Sequence, residues 1–100
     1  MLDQHRQIGE QFVIPRHIVW QDVAGDLVLF NRDNESYHAL NEIASSIWRS
    51  IAQSQPLAAI IDALGVEYHA DAAMIACDVR QFVQEALQHG LLIAVMGDAA

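Results

Sequence analysis

Five histidines, a lone cysteine, a serine pair and five glycines are what this 100-residue chain offers to catalysis, metal binding or phosphate recognition. Metal binding needs two or three ligands on one face, which a helix supplies at His-x-x-x-His spacing and a knuckle at Cys-x-x-Cys spacing. His5, His17, His38, His69 and His89 stand too far apart for the first, and Cys77 has no second cysteine for the other. No metal site and no intrachain disulfide are expected, and one free cysteine suits a reducing cytoplasm. Nucleophilic catalysis needs a nucleophile, a base and an orienting group converging in a concave site. The chain has no Gly-x-Ser-x-Gly elbow, and Ser45-Ser46 falls inside a helical pattern. Gly9, Gly25, Gly65, Gly90 and Gly97 are isolated and form no phosphate-cradling loop. These residues predict a protein that is not an enzyme and takes no cofactor.

A chain of this length makes about one ordinary domain, which leaves no room for an interdomain cleft. With 53% hydrophobic and 18% charged residues it has the material for a core and too little charge for disorder. Thirteen carboxylates stand against five scattered arginines, Arg6, Arg16, Arg32, Arg49 and Arg80, with no lysine, and the net charge is -8. Nucleic acid is not expected as a partner, because duplex affinity comes mostly from clustered cations that neutralise phosphates. No membrane partner is expected either, since no stretch approaches the roughly 18 consecutive apolar residues of a spanning helix. The N-terminus, Met1-Leu2-Asp3-Gln4-His5-Arg6, lacks the charged lead and apolar run of a secretory signal. A cytoplasmic location is expected.

The elements that must position any site follow from periodicity. Residues 1–16 read as a flexible N-terminal arm, with Pro15 interrupting the weakly β-like Phe12-Val13-Ile14. Ile18-Val19-Trp20 and Leu27-Val28-Leu29-Phe30 flank the turn cluster Ala24-Gly25-Asp26 and predict a hairpin. The second run is apolar on both parities, which predicts a central strand covered on both faces. After the polar turn Arg32-Asp33-Asn34-Glu35, Ser36 to Leu40 forms a third strand. The period then changes: Leu40, Ile43, Ala44, Ile47, Trp48 and Ile51 recur at three and four, predicting a helix over about 41–53 capped by Asn41. Pro56 opens a second helix carrying Leu57, Ile60, Ile61 and Leu64, which propensity alone would stop at Gly65. Asp71 caps a third, with Ile75, Val79, Phe82, Val83 and Ala86 as its core stripe and His89-Gly90 as its end. Leu91 to Val95 closes the chain as a strand or a strap across the core. The fold class predicted is α+β: a three-stranded antiparallel meander followed by three helices.

The third strand carries the functional signal. It is an edge, with a row of unpaired backbone groups, and Tyr37-His38-Ala39 holds neither proline nor lysine to blunt it. Either a neighbouring segment covers that edge, or a partner peptide adds to it as a further strand.

The run Tyr37-His38-Ala39-Leu40-Asn41-Glu42-Ile43-Ala44, followed by Ile47-Trp48, resembles the PqqD family. Asp78-Val79 followed by Phe82-Val83, and the closing Gly90-Leu91-Leu92, fit it too, so the likeness covers about residues 17–95. Members resemble small winged helix-turn-helix domains that act as recognition elements for ribosomally synthesised, post-translationally modified peptides. The resemblance implies a peptide-binding domain over 17–96, between the arm and a 97–100 tail, and a second helix that runs on through Gly65 to about Tyr68. It implies a non-catalytic adaptor that takes the leader of a precursor peptide as an added strand and presents it to a leader peptidase, cyclase or radical SAM maturation enzyme. Carried onto this chain, the leader pairs with Ser36, Tyr37, His38 and Ala39 and lies against the third helix. Of that helix's two flanks, the one with Met74, Asp78, Gln81 and Glu85 is favoured as groove wall, Met74 as an adaptable apolar contact and Asp78 as a partner for a cation or backbone N–H.

Quinone-cofactor members usually carry a Pro-Glu-Arg-like turn before the third strand, where this chain has Asn31-Arg32-Asp33-Asn34-Glu35. The stand-alone recognition proteins of lasso-peptide biosynthesis look more similar. The alternatives are a peptide chaperone of pyrroloquinoline quinone biosynthesis and, from another class, a winged-helix DNA-binding protein. Charge speaks against the last. The protein is expected to leave duplex DNA unretarded at near-physiological salt; sub-micromolar retardation that weakens with added salt would contradict this.

Overall fold

The structure, a computed structural model, describes residues 11–95. In chain order its elements are β1 (Gln11–Val13), β2 (Ile18–Val23), β3 (Asp26–Asn31), β4 (Ser36–Ala39), α1 (Glu42–Ala52), α2 (Leu57–Tyr68), α3 (Ala72–Gln88) and β5 (Ile93–Val95). Strands β2, β3 and β4 form an antiparallel sheet in that order, and β1 pairs with β5 in a separate two-stranded ribbon.

The β2–β3 hairpin closes over Ala24 and Gly25, both at positive φ (57° and 96°). A two-residue hairpin turn needs this to match strand twist, and glycine adopts it without steric cost. Asp22 and Arg49 secure the turn. The Asp22 carboxylate accepts the Gly25 N–H at 2.9 Å and an Arg49 N–H at 2.7 Å, and Arg49 also donates to the Gly25 carbonyl at 3.1 Å. The Gly25 amide and the guanidinium together hold the Asp22 carboxyl below its ordinary range.

The helices begin where their caps place them. The Asn41 side chain accepts from Ala44 N at 2.8 Å and that of Asp71 from Ala73 N at 3.1 Å. Helix α2 passes through Gly65 and ends at Tyr68, with His69 left-handed at φ 50°, so the stop expected from propensity is corrected. Glycine costs about 1 kcal/mol in a helix. Against that, Leu64 is buried, Tyr68 packs on the core, and the Tyr68 hydroxyl donates to Glu42 at 3.0 Å. Burial first, then that hydrogen bond, raises the Tyr68 phenol above its ordinary pKa.

The core lies between one face of the sheet and the helices: Ile18, Leu27 and Leu29 meet Ile47, Trp48, Ile51, Leu57, Ile60, Leu64, Ile75, Val79, Val83 and Ala86. Trp48 is fully buried and packs in a T with Trp20, centroids 5.7 Å apart. Strand β3 is central, as its sequence predicted, but it is covered on one face only; Val28 and Phe30 are half-buried on the other. Residues 1–10 and 96–100, most of the expected arm and the whole of the expected tail, lie outside the described residues. The end of that arm is not loose: Gln11–Val13 pairs residue for residue with Ile93–Val95, and Phe12 and Ile14 pack against the core.

One buried polar side chain joins sheet to helices. Leu40 N donates to Leu27 O at 2.9 Å, but the return bond runs through Ser45. The Ser45 hydroxyl accepts from Leu27 N at 2.9 Å and donates to Leu40 O at 3.3 Å. A buried N–H left without an acceptor costs about 1–3 kcal/mol. Ser45→Ala is therefore expected to lower the urea-unfolding free energy by about 1–3 kcal/mol with an unchanged m-value. A loss below about 0.5 kcal/mol, the usual range for a surface change, would contradict this role.

Candidate functional site

The site is built where β4 passes into α1 and both face α3. Register fixes which backbone groups are free. Because Leu40 N bonds to Leu27 O, the alternation of an antiparallel ladder makes His38 with Leu29, and Ser36 with Asn31, the hydrogen-bonded pairs. Tyr37 and Ala39 stand in the other kind of pair, so their N–H and C=O groups point away from β3. Nothing pairs with β4 on that side among the described residues. The edge offers two donors and two acceptors at the spacing of an incoming strand.

Beside it runs a cleft of about 440 Å³ bordered by His38, Ala39, Leu40, Asn41, Ala44, Phe82, Glu85, Ala86, His89 and Leu91. A second hollow of about 230 Å³ continues it along α3, sharing Asn41, Ala44, Phe82 and Glu85 and adding Ile43, Ile47, Asp78 and Gln81. The floor is apolar, made by Ala44 and Phe82. The α3 wall carries two carboxylates, Asp78 and Glu85, and no arginine or lysine borders either hollow. Such a trough suits an extended peptide with apolar side chains turned inward and N–H groups or a cation turned to α3.

The turn before β4 sets the mouth of the cleft. Asn34 accepts from Ser36 N at 3.1 Å and from the Ser36 hydroxyl at 2.7 Å, and that oxygen lies 3.1 Å from His38 Nε2. His38 shares the sheet face of Leu29 and stacks obliquely on His89, centroids 5.7 Å apart. Tyr37 turns to the opposite face, against Phe30 at 4.7 Å, and is 72% exposed. It belongs to the site through its backbone alone.

Of the residues expected on α3, the structure brings Asp78, Gln81 and Glu85 to the cleft and leaves Met74 exposed outside its lining. Met74 lies one helical turn before Asp78, past the end of the trough. Of the expected core stripe, Val83 is buried, whereas Phe82 is half-buried: it packs against the core and also borders both hollows. Its place on the border between the apolar stripe and the acidic flank was the available signal. Asn41, Ala44 and His89, read as caps or helix face, also border the site. Among the described residues no group of three His, Cys, Asp or Glu side chains could hold a metal, and no helix is long and apolar enough to cross a membrane.

The protein-family model described as coenzyme PQQ synthesis protein D (PqqD) matches residues 26–92. A solved structure described as TbiB1 in complex with the TbiA(beta) leader peptide is similar, with a TM-score of 0.77 and 25% identity over 80% of this chain and 93% of that one. Another, lasso peptide synthetase B1 complexed with the leader peptide, has a TM-score of 0.78 over 83% of this chain and 98% of that one. At 19% identity this second likeness is one of fold. Both support the α+β arrangement; the winged helix-turn-helix label rests on the sequence resemblance alone. No curated protein matches the chain in sequence.

Proposed function

The chain belongs to the PqqD family, and on that premise we propose that it is a leader-peptide-binding adaptor that works by strand addition at β4. The observation that carries this reading is an unblunted edge strand, with the outward N–H and C=O groups of Tyr37 and Ala39, lying directly along a trough floored by Ala44 and Phe82 and walled by carboxylates. Backbone pairing supplies affinity whatever the peptide's sequence, and the trough supplies selection. Ser36 to Ala39 form the pairing strand. Asp78, Gln81 and Glu85 form the facing wall, with Phe82 between the two.

The adaptor contributes no catalytic group. It raises the effective concentration of the precursor at a maturation enzyme, which is how tethering accelerates a reaction without chemistry of its own. The two similar structures solved with leader peptides, one of them described as lasso peptide synthetase B1, support a lasso-type pathway, with a leader peptidase or cyclase as the enzyme served; a cytoplasmic location belongs to the same reading. The family's name, coenzyme PQQ synthesis protein D, favours quinone-cofactor synthesis as the second reading, in which the same edge and trough serve a radical SAM enzyme.

Proline separates a pairing edge from an ordinary one. At His38 the N–H points to β3, so His38→Pro removes a ladder bond and should destabilise the domain. At Tyr37 and Ala39 the N–H points outward, so Tyr37→Pro and Ala39→Pro should be better tolerated. Each should weaken binding of a labelled leader peptide by about tenfold or more, about 1.4 kcal/mol. Circular dichroism follows folding and fluorescence anisotropy follows affinity. Folded Tyr37→Pro and Ala39→Pro proteins that bind as tightly as the parent would contradict strand addition at β4.

A further inference from the structure

Strand β2 is the other edge of the sheet, and it is longer than β4. Its six residues, Ile18–Val23, include neither proline nor lysine, and nothing pairs with β2 on its outer side among the described residues. Arg32 N donates to His17 O at 2.8 Å, so the alternation of the ladder turns Val19, Gln21 and Val23 towards β3 and leaves Ile18, Trp20 and Asp22 facing outward. The Ile18 N–H is already satisfied by Pro15 O at 3.1 Å. The Ile18 carbonyl and both backbone groups of Trp20 and Asp22 have no strand beside them. A long, unblunted edge of this kind is a template for another strand. The carboxylate wall that guards β4 has no counterpart on β2, whose one carboxylate, Asp22, is tied to Arg49 at 2.7 Å and to Gly25 N at 2.9 Å. At the middle of the edge stands Trp20, 41% exposed even though it packs in a T against the buried Trp48.

Two-fold geometry selects the occupant. The outward row is centred on Trp20, so a second β2 laid antiparallel about that residue sets Trp20 opposite Trp20 and Ile18 opposite Asp22. Each Trp20 N–H then meets the other Trp20 C=O, each Asp22 N–H meets an Ile18 C=O, and the Ile18 N–H needs no new acceptor. The Trp20 Cα atoms of such a pair lie about 5.5 Å apart. Their indoles, on the same face, supply the central buried aromatic on which an interface depends. The two Asp22 carboxylates are separated by four residues of strand, about 13 Å, which exceeds the Debye length of about 10 Å at 0.1 M salt. A pairing centred on Gln21 would satisfy as many backbone groups but bring those carboxylates to about half that distance.

We propose that β2 is a self-association edge, through which two copies of this chain join their three-stranded sheets into one continuous sheet ordered β4-β3-β2-β2-β3-β4. Both β4 edges then lie at its outer ends, and the dimer offers two peptide sites at once. That use rests on the peptide-binding reading above; the dimer itself does not. The contact is slim. A strand about 20 Å long in a sheet about 10 Å thick covers roughly 200 Å² on each copy, against the roughly 1,200 Å² in total of a stable interface. Each copy also carries a net charge of -8. The dimer is therefore weak and reversible, and salt strengthens it by screening the repulsion between the copies.

Sedimentation velocity of the full chain is expected to show monomer at about 5 µM and mostly dimer at about 500 µM, for a dissociation constant on the order of 100 µM. The dimer fraction should rise between about 0.05 M and about 0.5 M salt. Over the same range of protein concentration, residue-resolved amide exchange should slow about threefold at Trp20 and Asp22, while Ile18, Val19 and Gln21, bonded within the monomer, keep their rates. Trp20→Lys sets two ammonium groups across the two-fold axis and should leave the protein monomeric at about 500 µM, with its affinity for the labelled leader peptide within about twofold of the parent. If Trp20→Lys fails to fold, the exchange profile of the parent decides. A parent that stays monomeric at about 500 µM in about 0.5 M salt, or a dimer that leaves Trp20 and Asp22 at their free rates, would overturn the proposal. So would concentration-dependent slowing at Tyr37 and Ala39, which puts the contact on β4. A parent that dimerises through Trp20 and Asp22 yet binds no leader would sustain the dimer and overturn the peptide-binding reading alone.

Discussion

The last rung of the β3–β4 ladder is completed by a side chain of α1. Leu27 N and Leu40 O, which in an uninterrupted ladder would bond to each other, both bond to the Ser45 hydroxyl. A hydroxyl in that position does three things at once. It satisfies two buried backbone groups that no water can reach, it ends β4 so that the chain turns into α1 at Asn41, and it fixes the first turn of α1 against the sheet. The trough beside β4 exists because of that turn: its floor residue Ala44 is the neighbour of Ser45, and its cap residue Asn41 lies one helical turn before. The Asp22–Arg49–Gly25 contacts secure the other end of the same helix to the β2–β3 hairpin. Helix α1 is thereby held at both ends, and α3 packs beside it with Phe82 turned towards Ala44.

A pairing edge has to stay open without becoming a site of aggregation. Here the open stretch is short, four residues of β4, and only two of them, Tyr37 and Ala39, direct backbone groups outward. Short edges and adjacent charge are the usual protections. Asp78 and Glu85 stand on α3 across the trough, so a strand arriving at β4 must satisfy a wall of carboxylates as well as the edge. A second copy of this acidic chain is poorly suited to do so. On the proposed reading the same wall that discourages self-association selects among peptides.

Much of this was legible in the sequence, because the helical periods and the Asn41 and Asp71 caps are local signals that tertiary structure does not override. The α+β order, the meander and the three helices follow from them. The edge status of Tyr37-His38-Ala39 followed from strand order, and Asp78, Gln81 and Glu85 from a 100° rotation about α3. What misled was long-range or borderline. The strand made by Gln11–Val13 is three residues long and is stabilised by Ile93–Val95, some eighty residues away, which no local pattern reports. Gly65 is read correctly only once Leu64 and Tyr68 are known to pack. Phe82 both packs against the core and borders the trough, and a large aromatic at the edge of an apolar stripe carries no mark in the sequence of that double role. The run Leu27-Val28-Leu29-Phe30 was apolar on both parities, and cover on both faces was the natural inference. The helices cover only one, and Val28 and Phe30 stay half-buried on the other.

Amide hydrogen exchange, resolved by residue, observes the backbone groups on which strand addition depends. In the free protein the amides of His38 and Leu40 should exchange slowly and those of Tyr37 and Ala39 quickly, since only the former are bonded to β3. With saturating leader peptide, Tyr37 and Ala39 are expected to slow by at least about tenfold, the protection of one hydrogen bond closed most of the time. If both amides keep their free rates in a saturated complex, or if slowing is confined to Trp20 and Asp22 on the β2 edge, the peptide does not add at β4.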